Sequence, residues 1–307
     1  MRVIVLYNPI SGRGRACKLA GEISECFLKV PWDVELIPTQ ADEPNNWLVP
    51  KVEQPPDAVV VVGGDGTLRM VASVLVGTSI PVYHAASGTE NLFAKTMGTN
   101  GASPERVVET IVRGDVRKID TATANGEFML LMASVGFDAD VVRELSNRRG
   151  GSITHLSYVL PCIWQFLKWS KHVITISVDG EEIVTERQGW AIIANCKSYA
   201  RGLNPAKNAD IADGAIDVLF LPMKSRIKLF WWLFLILRGK HIQHSSSVYV
   251  RGKKIIVSVR EASQWQLDGD AIGAKLQMEL ACVPNSLLVF SGELGSVQKG
   301  DSPKTLE

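Results

Sequence analysis

Residues 58–76 of the chain, AVVVVGGDGTLRMVASVLV, place a run of β-branched residues before a glycine-rich turn and a helical stretch. The continuous apolar run at 58–62 predicts a strand that is buried on both faces. Glycines in the turn let backbone amides approach a phosphate closely, and the N-terminus of the following helix adds positive potential. Asp65 would act there through Mg²⁺ or ordered water, since a carboxylate repels phosphate. The alternative is an ordinary tight turn in which Asp65 has no chemical role.

Two further turns are of the same kind, residues 8–14 (NPISGRG) and residues 87–91 (SGTEN). Each follows a short apolar segment that predicts a strand. Strands alternating with helices predict a parallel α/β sheet. Because ligands of such sheets bind at the carboxyl ends of the strands, we expect the three turns to meet at one edge. A separate helix is predicted at 104–113, with Ser103 as its N-cap.

Beyond residue 116 the pattern changes to short strand-like segments, many of them separated by turn signals. This pattern predicts an antiparallel β domain, interrupted by helical stretches at 153–171 and 225–240. We therefore predict three segments: an α/β domain with a parallel sheet at 1–118, a mainly antiparallel β domain at 119–283, and a disordered polar tail at 295–307. Residues 284–294 are candidates for completing the first domain.

Composition narrows the classes of function. The chain has 307 residues, 33 basic and 32 acidic, for a formal net charge of +1. Such a balance gives no broad basic field, which argues against nucleic acid as a partner. The 5 cysteines are isolated from one another and lack zinc-ligand spacing. The most apolar run, 229–237, is too short to cross a membrane. We expect a cytoplasmic protein with reduced thiols.

Six short motifs occur in a fixed order along the chain. The first three are Asn8-Pro9-x-Ser11-Gly12, Gly63-Gly64-Asp65-Gly66-Thr67 and Gly88-Thr89-x-Asn91. The later three are SVGFDA at 134–139, ADIADG at 209–214 and LDGD at 267–270. Over roughly residues 1–290, this ordered set resembles the diacylglycerol kinases and their bacterial relatives. Sphingosine and ceramide kinases share the same scheme. The ordered set is far more specific than any single motif.

The resemblance implies an ATP-dependent lipid kinase with two domains. ATP would lie between the α/β domain and a β-sandwich domain, and its γ-phosphate would move to a hydroxyl of a membrane lipid such as diacylglycerol or a sphingoid lipid. Mg²⁺ would be needed for this transfer. The positions that match nucleotide contacts of the family are Asn8, Thr39, Gly63, Gly64, Asp65, Gly66, Thr67, Gly88, Thr89 and Asn91.

The same resemblance assigns roles to acidic residues. Asp65 would organise the catalytic Mg²⁺ through water, and Asp120 would belong to the same acidic network. Asp270 matches the base that accepts the proton of the lipid hydroxyl, with Asp268 beside it. A structural Mg²⁺ site is implied at Asp210, Asp213 and the carbonyl oxygen of Ala215. From the residues alone, both acidic segments are also explained as solvated turns.

Three residues depart from the pattern of the family. Arg69 and Met70 stand where Asn and Glu are usual, and Asp270 replaces the more common Glu. Arg69 could pair with phosphate, or it could mark a weakened nucleotide site. Two other functions therefore stay open: a non-catalytic nucleotide- or lipid-binding protein on the same fold, and an NAD kinase-like enzyme. His84 is isolated in the sequence and receives no role.

The two helical stretches of the second domain combine aromatic and basic residues. Trp164 and Phe166 are followed by Lys168, and residues 230–234 (FWWLF) lie between Lys228 and Arg238. This composition is typical of a peripheral surface that contacts membrane lipid. The alternative is that both helices are apolar on all sides because they are buried. The sequence does not identify the lipid, and it leaves the oligomeric state open, with a homodimer among the alternatives.

Overall fold

A computed structural model of the protein describes residues 1–147, 159–168, 170–199 and 202–292. The predicted disordered tail at 295–307 lies outside the described residues, as does part of the predicted helix at 153–171.

The first part of the chain alternates strands with helices. Its elements are β1 (Arg2–Tyr7), α1 (Arg15–Phe27), β2 (Asp33–Pro38), α2 (Pro44–Trp47), α3 (Val49–Val52), β3 (Ala58–Gly63), α4 (Asp65–Leu75), β4 (Val82–Ala86), α5 (Leu92–Met97) and α6 (Pro104–Arg113). Helix α6 has the predicted bounds, and the Ser103 hydroxyl accepts a hydrogen bond from the Arg106 N–H at 3.3 Å, which confirms its N-cap.

The strands of this part lie in the order β4-β3-β1-β2, and each neighbouring pair is parallel. β3 is the strand predicted to be buried on both faces, and all six of its residues are buried. Val59 and Val61 belong to one apolar core, while Val60 and Val62 belong to the core on the opposite face. Helices cover both faces of the sheet, so the polar turns that follow its strands emerge together at one edge.

The second part of the chain is mainly antiparallel. Its elements are β5 (Val116–Ala124), β6 (Glu127–Met129), β7 (Met132–Val135), α7 (Phe137–Asn147), α8 (Val159–Lys168), β8 (Val173–Val178), β9 (Glu181–Ala194), β10 (Ile216–Pro222), α9 (Ile227–Leu237), β11 (Val248–Gly252), β12 (Lys254–Leu267) and β13 (Asp270–Phe290).

Two long strands, β9 and β12, fold this sheet over its own core. Their first halves both pair with β8, and their second halves both pair with β7. The side chains enclosed by this arrangement include Trp265, Phe220 and Met278, which are fully buried. Nonpolar side chains that face each other across a folded sheet form a core of the sandwich type.

The last strand connects the two parts. β13 begins beside β12 in the hairpin that carries Asp270, and its second half, from Leu280 to Phe290, pairs with β5. Near its end, Val289 pairs in parallel with Val82 of β4. The chain therefore returns to the first sheet and places the Asp268–Asp270 hairpin and the glycine-rich turns in one continuous structure.

The aromatic helices are partly buried and partly exposed, and contact of the exposed residues with membrane lipid stays a prediction. On α9, Leu229 and Trp232 pack into the core below, whereas Phe230 and Trp231 are exposed by 58% and 44%. Among the described residues, no helix is long and apolar enough to cross a membrane.

Candidate active site

The three glycine-rich turns meet at the carboxyl ends of β1, β3 and β4, as the sequence predicts. The Ser87 N–H donates to the Gly63 carbonyl at 2.9 Å, and the Ser11 and Ser87 hydroxyls lie 3.1 Å apart. The Asn8 amide donates to the Thr67 hydroxyl at 3.0 Å. Each turn is thus hydrogen-bonded to a second one, so the edge of the sheet is a single fixed surface.

Two close approaches in this surface require glycine. A Cβ on Gly88 would lie 2.7 Å from the Cα of Gly64, and a Cβ on Gly12 would lie 2.6 Å from the Ser87 carbonyl oxygen. Gly12 also has a positive φ of 60°, a conformation that side chains disfavour. The backbones of the turns therefore pack against each other without side chains between them. Such a surface exposes amide groups closely enough to cradle phosphate.

Helix α4 begins within the central turn. Its N-cap is Gly64, which has no side chain to cap the first amides, so these N–H groups and the positive end of the helix dipole stay available. Asp65 does not cap its own helix. Its carboxylate accepts from the N–H groups of Leu92 and Phe93, at 2.9 and 3.0 Å, and caps α5 instead. Asp65 therefore holds the third turn against the second.

The remaining predicted nucleotide contacts flank these turns. Thr39 follows β2, and its N–H donates to the Tyr7 carbonyl at 2.8 Å, at the same edge of the sheet. Thr89 is exposed in the third turn. Asn91 has a positive φ of 52° and donates from its amide to the Gly88 carbonyl at 3.2 Å. The geometry thus gathers the predicted positions along one edge, and their contacts with nucleotide stay a prediction.

The two aspartates of the β12–β13 hairpin have different environments. Asp268 has a side chain only 1% exposed, and its carboxylate accepts from the N–H groups of Leu130, Leu131 and Met132 at 2.7–2.8 Å. Asp270 has a side chain that is 45% exposed. Asp268 is engaged in fixing the hairpin, and its predicted role in catalysis beside Asp270 stays a prediction. Only Asp270 is accessible to a substrate.

Arg69 joins the glycine turn to this hairpin. From α4 its guanidinium reaches Asp268 at 3.3 Å, Asp270 at 3.6 Å and the Phe128 carbonyl at 3.3 Å. Its side chain is 19% exposed, so water screens these charges only in part. Its partners here are two carboxylates and a carbonyl oxygen, and the suggestion from the sequence that it pairs with phosphate stays a prediction. Arg69 thus ties Asp270 to α4, the helix that begins in the central glycine-rich turn.

Asp120 and Asp65 accept hydrogen bonds from different parts of the chain. Asp120 is buried, and its carboxylate accepts from the N–H groups of Gly214 and Asn285 at 2.6 and 2.7 Å. It therefore holds the loop at 210–215 against β5 and β13. Its hydrogen bonds stabilise the loop, and the prediction that it joins the acidic network of Asp65 stays a prediction.

The loop at 210–215 fits a metal poorly. Asp210 accepts from the Ala212 N–H at 3.1 Å, and Asp213 accepts from the Ala215 N–H at 3.2 Å. The guanidinium of Arg251 lies 2.9 Å from Asp213 and already neutralises it. Among the described residues there is no cluster of three acidic, histidine or cysteine side chains that could hold an ion. The structural Mg²⁺ site implied by Asp210, Asp213 and Ala215 gains no support and stays a prediction.

The sequence does not predict a series of hydrogen bonds that connects the hairpin to Asp138. The Gly269 N–H donates to the Gln266 amide oxygen, the Gln266 amide donates to the Ser134 hydroxyl, and Ser134 donates to Asp138, at 2.8, 2.9 and 2.5 Å. The Tyr199 hydroxyl also donates to Asp138 at 2.5 Å. Burial raises the pKa of Asp138 above its ordinary value, against these hydrogen bonds, which lower it. This series of hydrogen bonds fixes the turn that carries Asp270.

His84, to which the sequence assigns no role, contacts the central glycine-rich turn. Its ring Nε2 donates to the Gly63 carbonyl at 3.1 Å, and the side chain is buried. Burial lowers the pKa of His84, so the ring is neutral at pH 7. A buried side chain of this kind cannot be found from sequence spacing, because its only signal is one histidine in a strand.

Two family models match the chain. The diacylglycerol kinase catalytic domain covers residues 2–124, and the YegS C-terminal NAD kinase beta sandwich-like domain covers residues 132–291. The chain belongs to the diacylglycerol kinase-like lipid kinase family. The resemblance seen in the ordered motifs is confirmed, and so is the prediction of a kinase, that is, a phosphotransferase.

Individual relatives agree with this family. A diacylglycerol kinase of Mycobacterium tuberculosis is 29% identical over 295 residues, with 94% of each chain covered. A diacylglycerol kinase of Bacillus subtilis is 23% identical, covering 88% of this chain and 89% of that one.

Solved structures share the fold of this lipid kinase-like chain. A diacylglycerol kinase from Bacillus anthracis superposes with a TM-score of 0.71 at 18% identity, covering 95% of this chain and 97% of the other. An NAD kinase from Archaeoglobus fulgidus in complex with ATP has a TM-score of 0.55 at 17% identity, covering 95% and 94%. The two-domain architecture, a catalytic domain followed by a β-sandwich-like domain, is therefore shared with both groups.

Proposed function

We propose that the chain transfers the γ-phosphate of ATP, bound with Mg²⁺, to a hydroxyl of a membrane lipid such as diacylglycerol or a sphingoid lipid. The observation that carries this proposal is the Arg69 bridge, which ties the exposed Asp270 to α4, the helix that begins in the central glycine-rich turn. Phosphoryl transfer to an alcohol needs these two parts together: a fixed phosphate site and a carboxylate for the hydroxyl proton.

The residues divide the chemistry between them. Backbone N–H groups at the start of α4 and in the glycine turns hold the phosphates of the nucleotide. Asp270 orients the acceptor hydroxyl and takes its proton while the hydroxyl oxygen forms the new bond to phosphorus and the bond to the leaving ADP oxygen breaks. Mg²⁺, when bound, neutralises charge on the phosphates. Asp65 keeps unused lone pairs that suit water around such an ion, although both of its oxygens cap α5.

The choice of nucleotide and acceptor rests on relatives. The structure from Archaeoglobus fulgidus contains ATP, and the relatives from Mycobacterium tuberculosis and Bacillus subtilis are named diacylglycerol kinases. A further group is named probable lipid kinases. These names support a lipid acceptor in general and do not identify the particular lipid.

One observation favours a second candidate, a nucleotide- or lipid-binding protein without turnover. The guanidinium of Arg69 lies 3.6 Å from the carboxylate of Asp270 and offsets its negative charge. Turnover would require this ion pair to persist when a phosphate binds nearby. An NAD kinase-like activity has weaker support, because it is supported by the shared fold alone.

The test is transfer of label from γ-labelled ATP, with Mg²⁺, to mixed micelles of diacylglycerol, sphingosine, ceramide or phosphatidylglycerol, with NAD as a polar acceptor in a parallel reaction. We expect one labelled lipid with the wild type and none with Asp65→Asn or Asp270→Asn. Asp33→Asn, an exposed aspartate at the start of β2, is the matched control and should keep full activity. Bound ATP without any labelled lipid would favour the binding protein, and labelled NAD would favour the NAD kinase.

A further inference from the structure

Helix α9 exposes a continuous apolar face. It is 11 residues long, and one side packs on the sheet through Leu229, Trp232 and Ile236. The opposite side is exposed, with side chains at the i, i+3, i+4 and i+7 spacing of a single helix face. These exposed residues are Ile227, Phe230, Trp231, Phe234 and Leu237. Soluble surfaces rarely expose so many large apolar side chains together, so the face marks a site of contact.

Helix α8 extends this face. Ile163, Trp164 and Leu167 are each at least 50% exposed. The rings of Phe166 and Phe230 lie 4.9 Å apart, so α8 and α9 pack against each other. We call the exposed sides of these two helices the aromatic face.

The surroundings of the aromatic face are basic. No acidic residue occurs between Glu144 and Asp179, or between Asp217 and Glu261, although the whole chain has a net charge of only +1. Within these two segments, the exposed cations on or beside α8 and α9 are Lys168, Lys171, Lys224, Arg226, Lys228, Arg238 and Lys240. In the described part of the chain none of them forms an ion pair with an acidic side chain. Their charge is therefore available to an anionic partner.

We propose that the aromatic face docks on an anionic lipid bilayer, with α8 and α9 lying in the plane of the interface. A helix of 11 residues is about half the length that crosses a bilayer, whereas an apolar face edged with Lys and Arg is typical of interfacial helices. Tryptophan prefers the depth of the lipid headgroups, which suits Trp164 and Trp231. Anionic headgroups complement the cations around the face.

Charge argues against a second copy of the chain as the partner. In a symmetric dimer the same patch meets itself, so the cations at both ends of α9 would face identical cations. Neither segment contains an acidic residue that could offset this repulsion. The inference deepens the proposed function and rests on it, because a kinase for membrane lipids has to reach a bilayer.

The experiment is flotation of the purified protein with vesicles, in the absence of ATP. One set of vesicles contains phosphatidylcholine mixed with phosphatidylglycerol, and the other contains phosphatidylcholine alone. One variant combines Phe230→Ser with Trp231→Ser, and a second combines Lys224→Gln, Arg226→Gln and Lys228→Gln. The matched control combines Leu28→Ser with Leu276→Ser, which are exposed by 76% and 60% and lie away from α8 and α9. Thermal unfolding checks that each variant is folded.

We expect binding to the anionic vesicles that weakens with salt and is much lower on phosphatidylcholine alone. The partition coefficient should fall at least about ten-fold in the aromatic variant. At roughly five-fold per charge, it should fall about a hundred-fold in the triple Gln variant. The control should bind like the wild type.

Absence of binding to anionic vesicles, or equal binding by all variants, would overturn the inference. A dimer in sedimentation velocity that Phe230→Ser with Trp231→Ser converts to monomer, without vesicle binding, would assign the face to a second copy instead. Because flotation uses no nucleotide, its result is independent of phosphate transfer. A protein that floats but labels no lipid would keep the docking face and refute the kinase proposal.

Discussion

The hairpin at 267–270 and the loop at 210–215 have similar sequences and different surroundings. Each contains two aspartates and one Asp-Gly pair, and the same resemblance implies a role for each. In the hairpin, Asp268 is buried and accepts hydrogen bonds from three backbone amides, whereas Asp270 is exposed. In the loop, both aspartates accept from their own local amides, and Asp213 pairs with Arg251. The comparison shows that the tertiary partners of an acidic motif decide how exposed its carboxylates are and which groups they contact.

The largest expected difference between the two regions is in turnover. Asp270→Asn should lower kcat roughly 100- to 10,000-fold, because it removes a general base. Asp213→Asn keeps the shape of the loop and should stay close to the wild type. Initial rates of lipid phosphorylation for both variants measure this difference. Equal losses in the two variants would mean that the loop takes part in catalysis, as a structural metal would require.

The next difference is in stability. Asp268→Ala leaves three buried N–H groups without an acceptor and should lower the free energy of unfolding by roughly 3 kcal/mol or more. Asp210→Ala removes one exposed local hydrogen bond, so a loss of at most about 1 kcal/mol is expected. Urea denaturation followed by circular dichroism gives both values. A mild effect of Asp268→Ala would show that the hairpin is held by other contacts.

The two arginines provide a smaller test. Arg69→Gln should lower kcat about ten-fold, equivalent to about 1.4 kcal/mol, because Asp270 loses the group that positions it. Arg251→Gln, the matched change in the other region, should leave kcat unaltered. Arg69→Asn restores the residue usual in the family and gives a second measurement at this position. A rise in kcat in both Arg69 variants would identify Arg69 as an inhibitory contact.

The smallest expected effect is a pH dependence beside the loop. Burial raises the pKa of Asp217, whose carboxylate accepts from Tyr249 at 2.5 Å. A carboxyl with a raised pKa in the folded state stabilises the fold fully below its unfolded pKa. This stability is lost as pH rises through the folded pKa. The free energy of unfolding should therefore fall as pH rises above about 4, and Asp217→Asn should flatten this slope. Urea denaturation between acidic and neutral pH measures it, and an unchanged slope in the variant would contradict the assignment.

Local chemistry explains what the sequence predicted well. The glycine turns, the strand β3 and the Ser103 cap depend on residues close to each other in the chain, so their patterns are visible directly. Helix α5 was missed because it has only 6 residues and its first amides are capped by Asp65, a distant residue. Contacts of this kind depend on the fold and leave no periodic signal.

The site was predictable only in part for the same reason. Asp270 could be named from the motif, but the different environment of Asp268 depends on amides more than 130 residues away. The partners of Arg69 and the buried chain from Asp138 to Gly269 also join distant segments. For α9, the composition leaves open a lipid-contacting surface or a buried helix, and only the packing shows that one face is buried and the other exposed.

A single-turnover experiment tests the role of Asp270 most directly. The complex of the protein with γ-labelled ATP and Mg²⁺ is formed first and then mixed with micelles of the acceptor lipid. We expect the label to move to lipid in the wild type, and to stay in ATP in Asp270→Asn although this variant binds ATP with the same Kd. Transfer at the wild-type rate by Asp270→Asn, or no transfer by the wild type to any lipid, would contradict the proposed mechanism.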